Sequence, residues 1–234
     1  MVRKLKFTPF QLLVHAAAWL PGLWLAWDFS MGNLSVNPIQ DLERRTGKYA
    51  LVLLILALSA TPLNTLFGFR PAIKVRRALG LYAFLYAAVH LTIFLGLDYG
   101  FDWELLRLEI LDKAYILAGL AAFLILLPMA VTSFRWWMKH LGKNWKRLHR
   151  MVYLAGVLVV VHYAWVVKGD VLRLQGDILQ PLLFGALLAL LLVVRIPAVR
   201  TRIAHVRQRA KSSGTRAQKP RPEHPLQKTV HEAE

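Results

Sequence analysis

The chain has no cysteine. That absence excludes disulfides, thiolate metal sites, iron–sulfur clusters and covalent attachment of a c-type haem. Any metal chemistry must rest on the eight histidines. Acids are scarce, 13 against 30 Lys and Arg, and none falls inside the long apolar runs. Ion and proton transporters usually place acids within their helices, so this lack argues against that class. No Gly-rich phosphate loop, soluble nucleotide-binding domain or internal repeat is visible.

What is present is apolar. Hydrophobic residues make up 56% of the 234 positions. Six runs of about 17–20 residues stand out, near 8–27, 49–67, 78–97, 114–133, 151–167 and 178–195, each long enough to cross a hydrocarbon core of about 30 Å. The N-terminal run follows a basic start but is long, aromatic and lacks a small-residue cleavage site. It reads as an uncleaved first helix. The formal charge of +17 would suggest nucleic acid in a soluble protein. Here the cations lie between apolar runs, so membrane lipids are the expected partner and nucleic acid is not.

Charge sets the topology. The N-terminus, the 68–77 and 134–150 loops and the tail from Arg195 hold 23 of the 30 cations, and the other three loops hold seven. Those three loops, 28–48, 98–113 and 168–177, hold ten of the 13 acids. The positive-inside rule then places both termini in the cytoplasm of a bacterial inner-membrane protein. The expected fold is all-α: a polytopic, six-transmembrane-helix bundle over residues 1–199, N-in/C-in. A basic cytoplasmic tail, 200–234, is expected to be disordered and to face the lipid headgroups.

The histidines carry the chemistry. His90 lies 13 residues past Arg77, about 20 Å up the third helix, and His162 lies 12 residues past Arg150, about 18 Å up the fifth. The two are at matched depth, with no carboxylate expected beside them. A buried imidazole needs a partner. An iron between two imidazoles, as in haem b, provides one; backbone carbonyls or hydroxyls are the alternative. Ala83, Ala87, Ala88, Ala155, Gly156 and Ala164 supply small side chains for a slot. His149 stands at the cytoplasmic mouth of the fifth helix. On an ideal helix it is roughly 140° off the face of His162. It reads either as a cofactor-site residue or as an interfacial histidine. Opposite it, at matching depth, are Arg76 and Arg77 rather than a histidine. Two arginines suit an anionic group, so a flavin or quinone is the expectation for this inner site. His15 reads as a core histidine or as part of a quinone pocket. Around 135–149, Trp136, Trp137 and Trp145 alternate with cations, which suits interfacial anchoring or a docking surface for a flavoprotein.

The stretches NPIQDLERRTGKYAL, ATPL, RRALGLYAFLYAAVHL, LGKNWKRLHRMVYLAG and HYAWVVK resemble the MsrQ (YedZ) family. The resemblance covers about residues 8–200. It is similar more distantly to the ferric reductase-like transmembrane domain of ferric reductases and NADPH oxidases. The resemblance implies a haem b electron-transfer subunit, not itself catalytic, in an oxidoreductase complex. Such a subunit takes electrons from the cytoplasmic side, through a cytosolic flavin reductase or quinol from the quinone pool. It passes them to MsrP, a periplasmic molybdopterin enzyme that reduces methionine sulfoxide in proteins. FMN is associated with the family, which makes the chain a candidate flavoprotein. The family's histidines match His90, His149 and His162. Helix three here has only His90, where the ferric reductase pattern has two histidines on each of two helices. A transporter and a haem-independent membrane anchor are the competing functions.

Overall fold

The computed structural model describes residues 7–167 and 178–203. The helix α1 spans Pro9–Ser30, α2 Pro38–Phe67, α3 Arg70–Ile93, α4 Trp103–Asp112 and α5 Ala114–Val131. Then follow α6 Arg135–Leu141, α7 Lys143–Arg150, α8 Val152–Val166 and α9 Leu179–Val193. A π turn, Phe94–Asp98, continues α3. Among the described residues there is no strand. Among the described residues, five spans are long and apolar enough to cross a membrane: α1, α2, α3 with its π turn, α5, and the α7–α8 stretch Lys143–Val166. The sixth run, α9, has 15 residues, about 22 Å of helix. It reaches spanning length only when counted with the short helix Pro197–Ile203. Residues Met1–Arg195 form one compact unit and Ile196–Glu234 another. Much of the 200–234 tail lies outside the described residues, as do His205, His224, His231 and the whole 168–177 loop.

Helix boundaries differ from the apolar runs. The sequence places loops at 28–48 and 68–77, yet α2 begins at Pro38 and α3 at Arg70. Charged residues lower hydropathy without breaking a helix. The true boundaries are capping signals. Asn37 accepts from the Gln40 N–H at 3.2 Å ahead of Pro38, and Gly68 closes α2 with a left-handed φ of 71°. Only Gly68 and Phe69 connect α2 to α3, so Arg70, Lys74, Arg76 and Arg77 ride on the first turns of α3. The 30 residues of α2 make about 45 Å of helix, and its first turns carry Asp41, Glu43 and Arg45 into the acidic end of the bundle. There Arg45 pairs with the buried Asp28 of α1 at 2.7 Å and with Asp41 at 2.9 Å.

Prolines inside the spans are compensated by neighbours. Pro21 interrupts α1, and the Tyr86 hydroxyl of α3 enters beside it. That hydroxyl accepts from the Gly22 N–H (2.9 Å) and donates to the Ala18 carbonyl (2.8 Å). In an unbroken helix those two groups would bond each other. Pro62 in α2 has no N–H to give the Leu58 carbonyl, and the Arg195 guanidinium donates to that carbonyl instead. The core between the helices is built on small residues. Ala60 and Ala83 are 1% exposed and Ala155 is fully buried, allowing close helix approach. A Cβ on Gly156 would meet Leu188 at 3.3 Å and Leu58 at 3.4 Å. Large apolar side chains such as Leu13, Leu20, Leu23 and Trp24 are exposed on the outside, as lipid contact requires.

Candidate functional site

His90 of α3 and His162 of α8 face each other. Their ring centres are 6.2 Å apart and their planes are turned 75°. His90 Nδ1 donates to the Glu43 carbonyl oxygen at 2.9 Å, and His162 Nδ1 donates to the Tyr115 carbonyl oxygen at 2.7 Å. A carbonyl only accepts, so the proton is on Nδ1 and the Nε2 lone pair of each ring is left free. A carbonyl behind a ligating imidazole also raises its basicity.

The two half-sites repeat one arrangement. Each histidine reaches a carbonyl 47 residues earlier in the chain. Each ring then lies over the residue one helical turn beyond that carbonyl, and in both cases it is glycine. A Cβ on Gly47 would meet the His90 ring at 3.3 Å, and one on Gly119 would meet His162 Nδ1 at 2.8 Å. No repeat is visible in the sequence, because the apolar residues between these points do not match. The site residues that sequence reasoning missed are these glycines and the carbonyls of Glu43 and Tyr115. Their signal was the equal spacing of helix-interior glycines from the histidines.

The absence of a carboxylate near His90 does not hold. The early start of α2 brings Glu43 to that depth, with Oε1 buried and without a hydrogen-bond partner. What holds the ring is the Glu43 main chain. His15 has the ordinary partner of a core histidine, the Tyr82 hydroxyl at 2.9 Å from Nδ1.

The pair fits an iron between two axial imidazoles. Two metal–nitrogen bonds of about 2.1 Å, plus roughly 1.2 Å from each nitrogen to its ring centre, require ring centres about 6.5 Å apart. The observed separation is 6.2 Å. Among the described residues no group of three or more His, Cys, Asp or Glu could hold a bare metal ion. Two opposed imidazoles suit instead a metal whose other ligands arrive with it, as in a porphyrin.

At the other, basic end, His149 stacks on Trp145 with ring centres 4.0 Å apart, and its Nδ1 donates to the Trp145 carbonyl at 3.1 Å. Trp145 in turn donates to the Thr132 carbonyl at 2.9 Å. His149 and His162 do not share one ideal helix, because the run from α7 into α8 tightens at Met151, which stays right-handed (φ −63°, ψ −12°) and donates to the Leu148 carbonyl three residues back at 3.0 Å. Arg76 lies within electrostatic reach of His149 and donates to Thr61 Oγ1 at 3.4 Å. Arg77 instead lies over the Phe134 ring at 5.9 Å.

Comparison with known proteins agrees with this architecture. The pattern of the ferric reductase like transmembrane component matches residues 46–160. The protein-methionine-sulfoxide reductase heme-binding subunit MsrQ of Xanthomonas axonopodis pv. citri (strain 306) is 43% identical over 190 residues, 79% of this chain and 84% of that protein. The subunit of the same name from Rhodospirillum rubrum is 42% identical over 194 residues, 82% of this chain and 90% of that protein. No solved structure matches the chain. With identity at this level across most of both chains, the protein belongs to the MsrQ family.

Proposed function

We propose that this chain is the electron-transfer subunit of a methionine sulfoxide reductase system, holding haem b between His90 and His162. The observation that carries this reading is the opposed pair of imidazoles, 6.2 Å apart, each with Nδ1 committed to a carbonyl and Nε2 free. When bound, the haem supplies a one-electron carrier. His90 and His162 would both hold it, so the chemistry it would supply is electron passage rather than O₂ binding. The chain's own part is to hold the two rings rigidly. The Glu43 and Tyr115 carbonyls fix the tautomers, and Gly47 and Gly119 give the rings room. A preset geometry of this kind keeps reorganisation small.

The charge asymmetry supports both termini in the cytoplasm, with the basic end inside and the acidic end toward the periplasm. His90 and His162 then lie in the outer half of the inner membrane, near a periplasmic acceptor. That acceptor is read as MsrP, the molybdopterin enzyme of the family. Electrons enter at the basic end, from a cytosolic flavin reductase or from quinol. The gap from Arg77 to His90 is 13 residues, about 20 Å of helix. An inner carrier near His149, Arg76 and Arg77, a flavin such as FMN or a quinone, shortens it.

A pyridine haemochrome assay on purified protein tests the reading. His90→Ala and His162→Ala should each abolish the low-spin haem b absorption while membrane insertion persists. An unchanged spectrum in both variants would refute the assignment. His149→Ala should leave that absorption intact and slow its reduction by the cytoplasmic donor. If it removes half the haem and no flavin co-purifies, the inner carrier is a second haem.

A further inference from the structure

The helix α4, Trp103–Asp112, lies at the acidic end. Its ten residues make about 15 Å of helix, too short to cross a membrane. Its place in the chain ties it to both halves of the histidine site. It begins 13 residues after His90 and ends three residues before Tyr115, whose carbonyl holds His162. It is also fixed in place. The Asp102 carboxylate caps its start, accepting from the Glu104 and Leu105 N–H groups at 3.0 and 3.2 Å. Leu106 is 1% exposed, and the helix packs on α5. Just ahead of it, Phe101 folds back on the π turn, where a Cβ on Gly96 would meet its ring at 3.1 Å.

The outer surface of α4 is open. Trp103, Leu105, Leu108 and Leu111 are each 52–72% exposed. Lipid does not suit that surface. A helix lying in a headgroup layer keeps apolar residues on one side and charges, chiefly cations, on the other. Stepping about 100° per residue round the helix, Glu104 falls between Leu111 and Leu108, and Asp112 between Leu108 and Leu105. Acids therefore interleave with leucines across the exposed arc, while Leu106 and Ile110 fall on the opposite side. The segment 98–113 holds five acids and two cations. Lys113 pairs with Glu109. Among the described residues Asp98, Asp102, Glu104 and Asp112 form no ion pair. Apolar contacts bordered by polar groups are the make-up of a protein interface, and a border of one sign selects a partner of the other.

We propose that the outer face of α4 is where a soluble periplasmic electron acceptor docks, a protein that presents an apolar contact rimmed by Lys and Arg. The proposal rests on the reading of this chain as the donor to such an acceptor. One short helix makes a small contact, of the size that weak electron-transfer encounters use. Opposite charge speeds the encounter and makes it sensitive to salt. Each encounter passes one electron to the acceptor and breaks no bond.

The test uses the full-length, haem-loaded protein in nanodiscs, with purified MsrP as the acceptor. Re-oxidation of the reduced haem is followed by stopped flow against MsrP concentration. Leu108→Glu should raise the half-saturating concentration at least tenfold while the rate at saturation is kept. The double variant Glu104→Lys, Asp112→Lys should do the same and flatten the salt dependence. All three positions are exposed, so haem absorption and melting temperature should match the wild type. A second measurement uses the absence of native cysteine. Leu108→Cys gives the chain a single thiol, which should react with a membrane-impermeant maleimide and be protected by MsrP. The proposal fails if the half-saturating concentration is the same in every variant. It also fails if the thiol is shielded in nanodiscs and reacts only in detergent, since α4 then lies in lipid. If MsrP does not oxidise the wild-type haem, the donor reading falls, and protection of the thiol by MsrP still decides where the acceptor docks.

Discussion

The glycines behind the two histidines offer the sharpest test of the site, because they differ in how tightly they are packed. A methyl group on Gly119 would stand 2.8 Å from His162 Nδ1 and 2.9 Å from Cε1. The ring is held from behind by the Tyr115 carbonyl at 2.7 Å, so it cannot yield without breaking that bond. Overpacking costs about 1–3 kcal/mol, and the lost hydrogen bond adds about 0.5–1.5 kcal/mol. Alanine recovers about 1 kcal/mol of helix propensity. The net effect at Gly119 is destabilising by roughly 0.5–3.5 kcal/mol, concentrated on the ligand's position. At Gly47 the same methyl meets His90 at 3.3 Å. A shift of a few tenths of an ångström relieves it, and the propensity gain roughly cancels the cost. Gly119→Ala should therefore lose most of the low-spin haem, while Gly47→Ala keeps most of it. Haem-to-protein ratios by pyridine haemochrome on the two purified variants measure this directly. Full haem content in Gly119→Ala, or greater loss in Gly47→Ala, would show that the ring positions are not set by these contacts.

Two further outcomes follow from the fold. Reporter fusions after Gly68, in the short connection between α2 and α3, and after Tyr99 should report opposite sides of the membrane, with Gly68 cytoplasmic; the same side for both would overturn the topology. Tyr86→Phe removes the hydroxyl that bridges Gly22 and Ala18 and leaves a strained α1 at Pro21. Thermal unfolding should show a loss of about 1–3 kcal/mol, and no change would mean the two groups simply bond each other again.

Much of this architecture was legible in the sequence, because hydropathy and residue counting measure what a membrane selects. The apolar runs came from hydropathy, and the matched depth of His90 and His162 came from helical rise. What hydropathy misses is helix that continues outside the apolar run. Residues 38–48 and 70–77 are rich in charge, and that concealed the early starts of α2 and α3, although Asn37–Pro38 and Gly68 marked them. The error had a consequence at the site: with α2 begun at Pro38, Glu43 stands beside His90, where no acid was expected. The glycine cradles stayed hidden for a different reason. A helix-interior glycine has several meanings in a membrane protein, and only the tertiary fold shows which side chain lies over it. Arg195 was counted as a tail cation, since nothing local tells that it satisfies a carbonyl freed by a proline in α2.

The repeated half-sites also say why the two ends of the bundle differ. Shifting along the chain by the interval from His90 to His162 carries Glu43 onto Tyr115 and Gly47 onto Gly119, and the arrangement holds at each. The same shift carries Arg77 onto His149 and the correspondence stops. A guanidinium stays protonated and has no free lone pair for iron, so this end offers one imidazole where the other offers two. α3 is regular through Arg77, whereas its counterpart has a tightened turn at Met151, where the N–H bonds three residues back to Leu148. On this argument a bis-imidazole site at the basic end is missing one residue. Arg77→His supplies it at the position the repeat assigns, with Arg76 and Arg195 still present to meet carboxylates. The variant should bind more haem b than the wild type, with the additional absorption removed by a second substitution, His149→Ala, and the His90–His162 signal unaffected by it. Haem content unchanged by Arg77→His would mean that the tightened turn at Met151 has turned His149 away from α3, and that the repeat governs only the acidic half of the bundle.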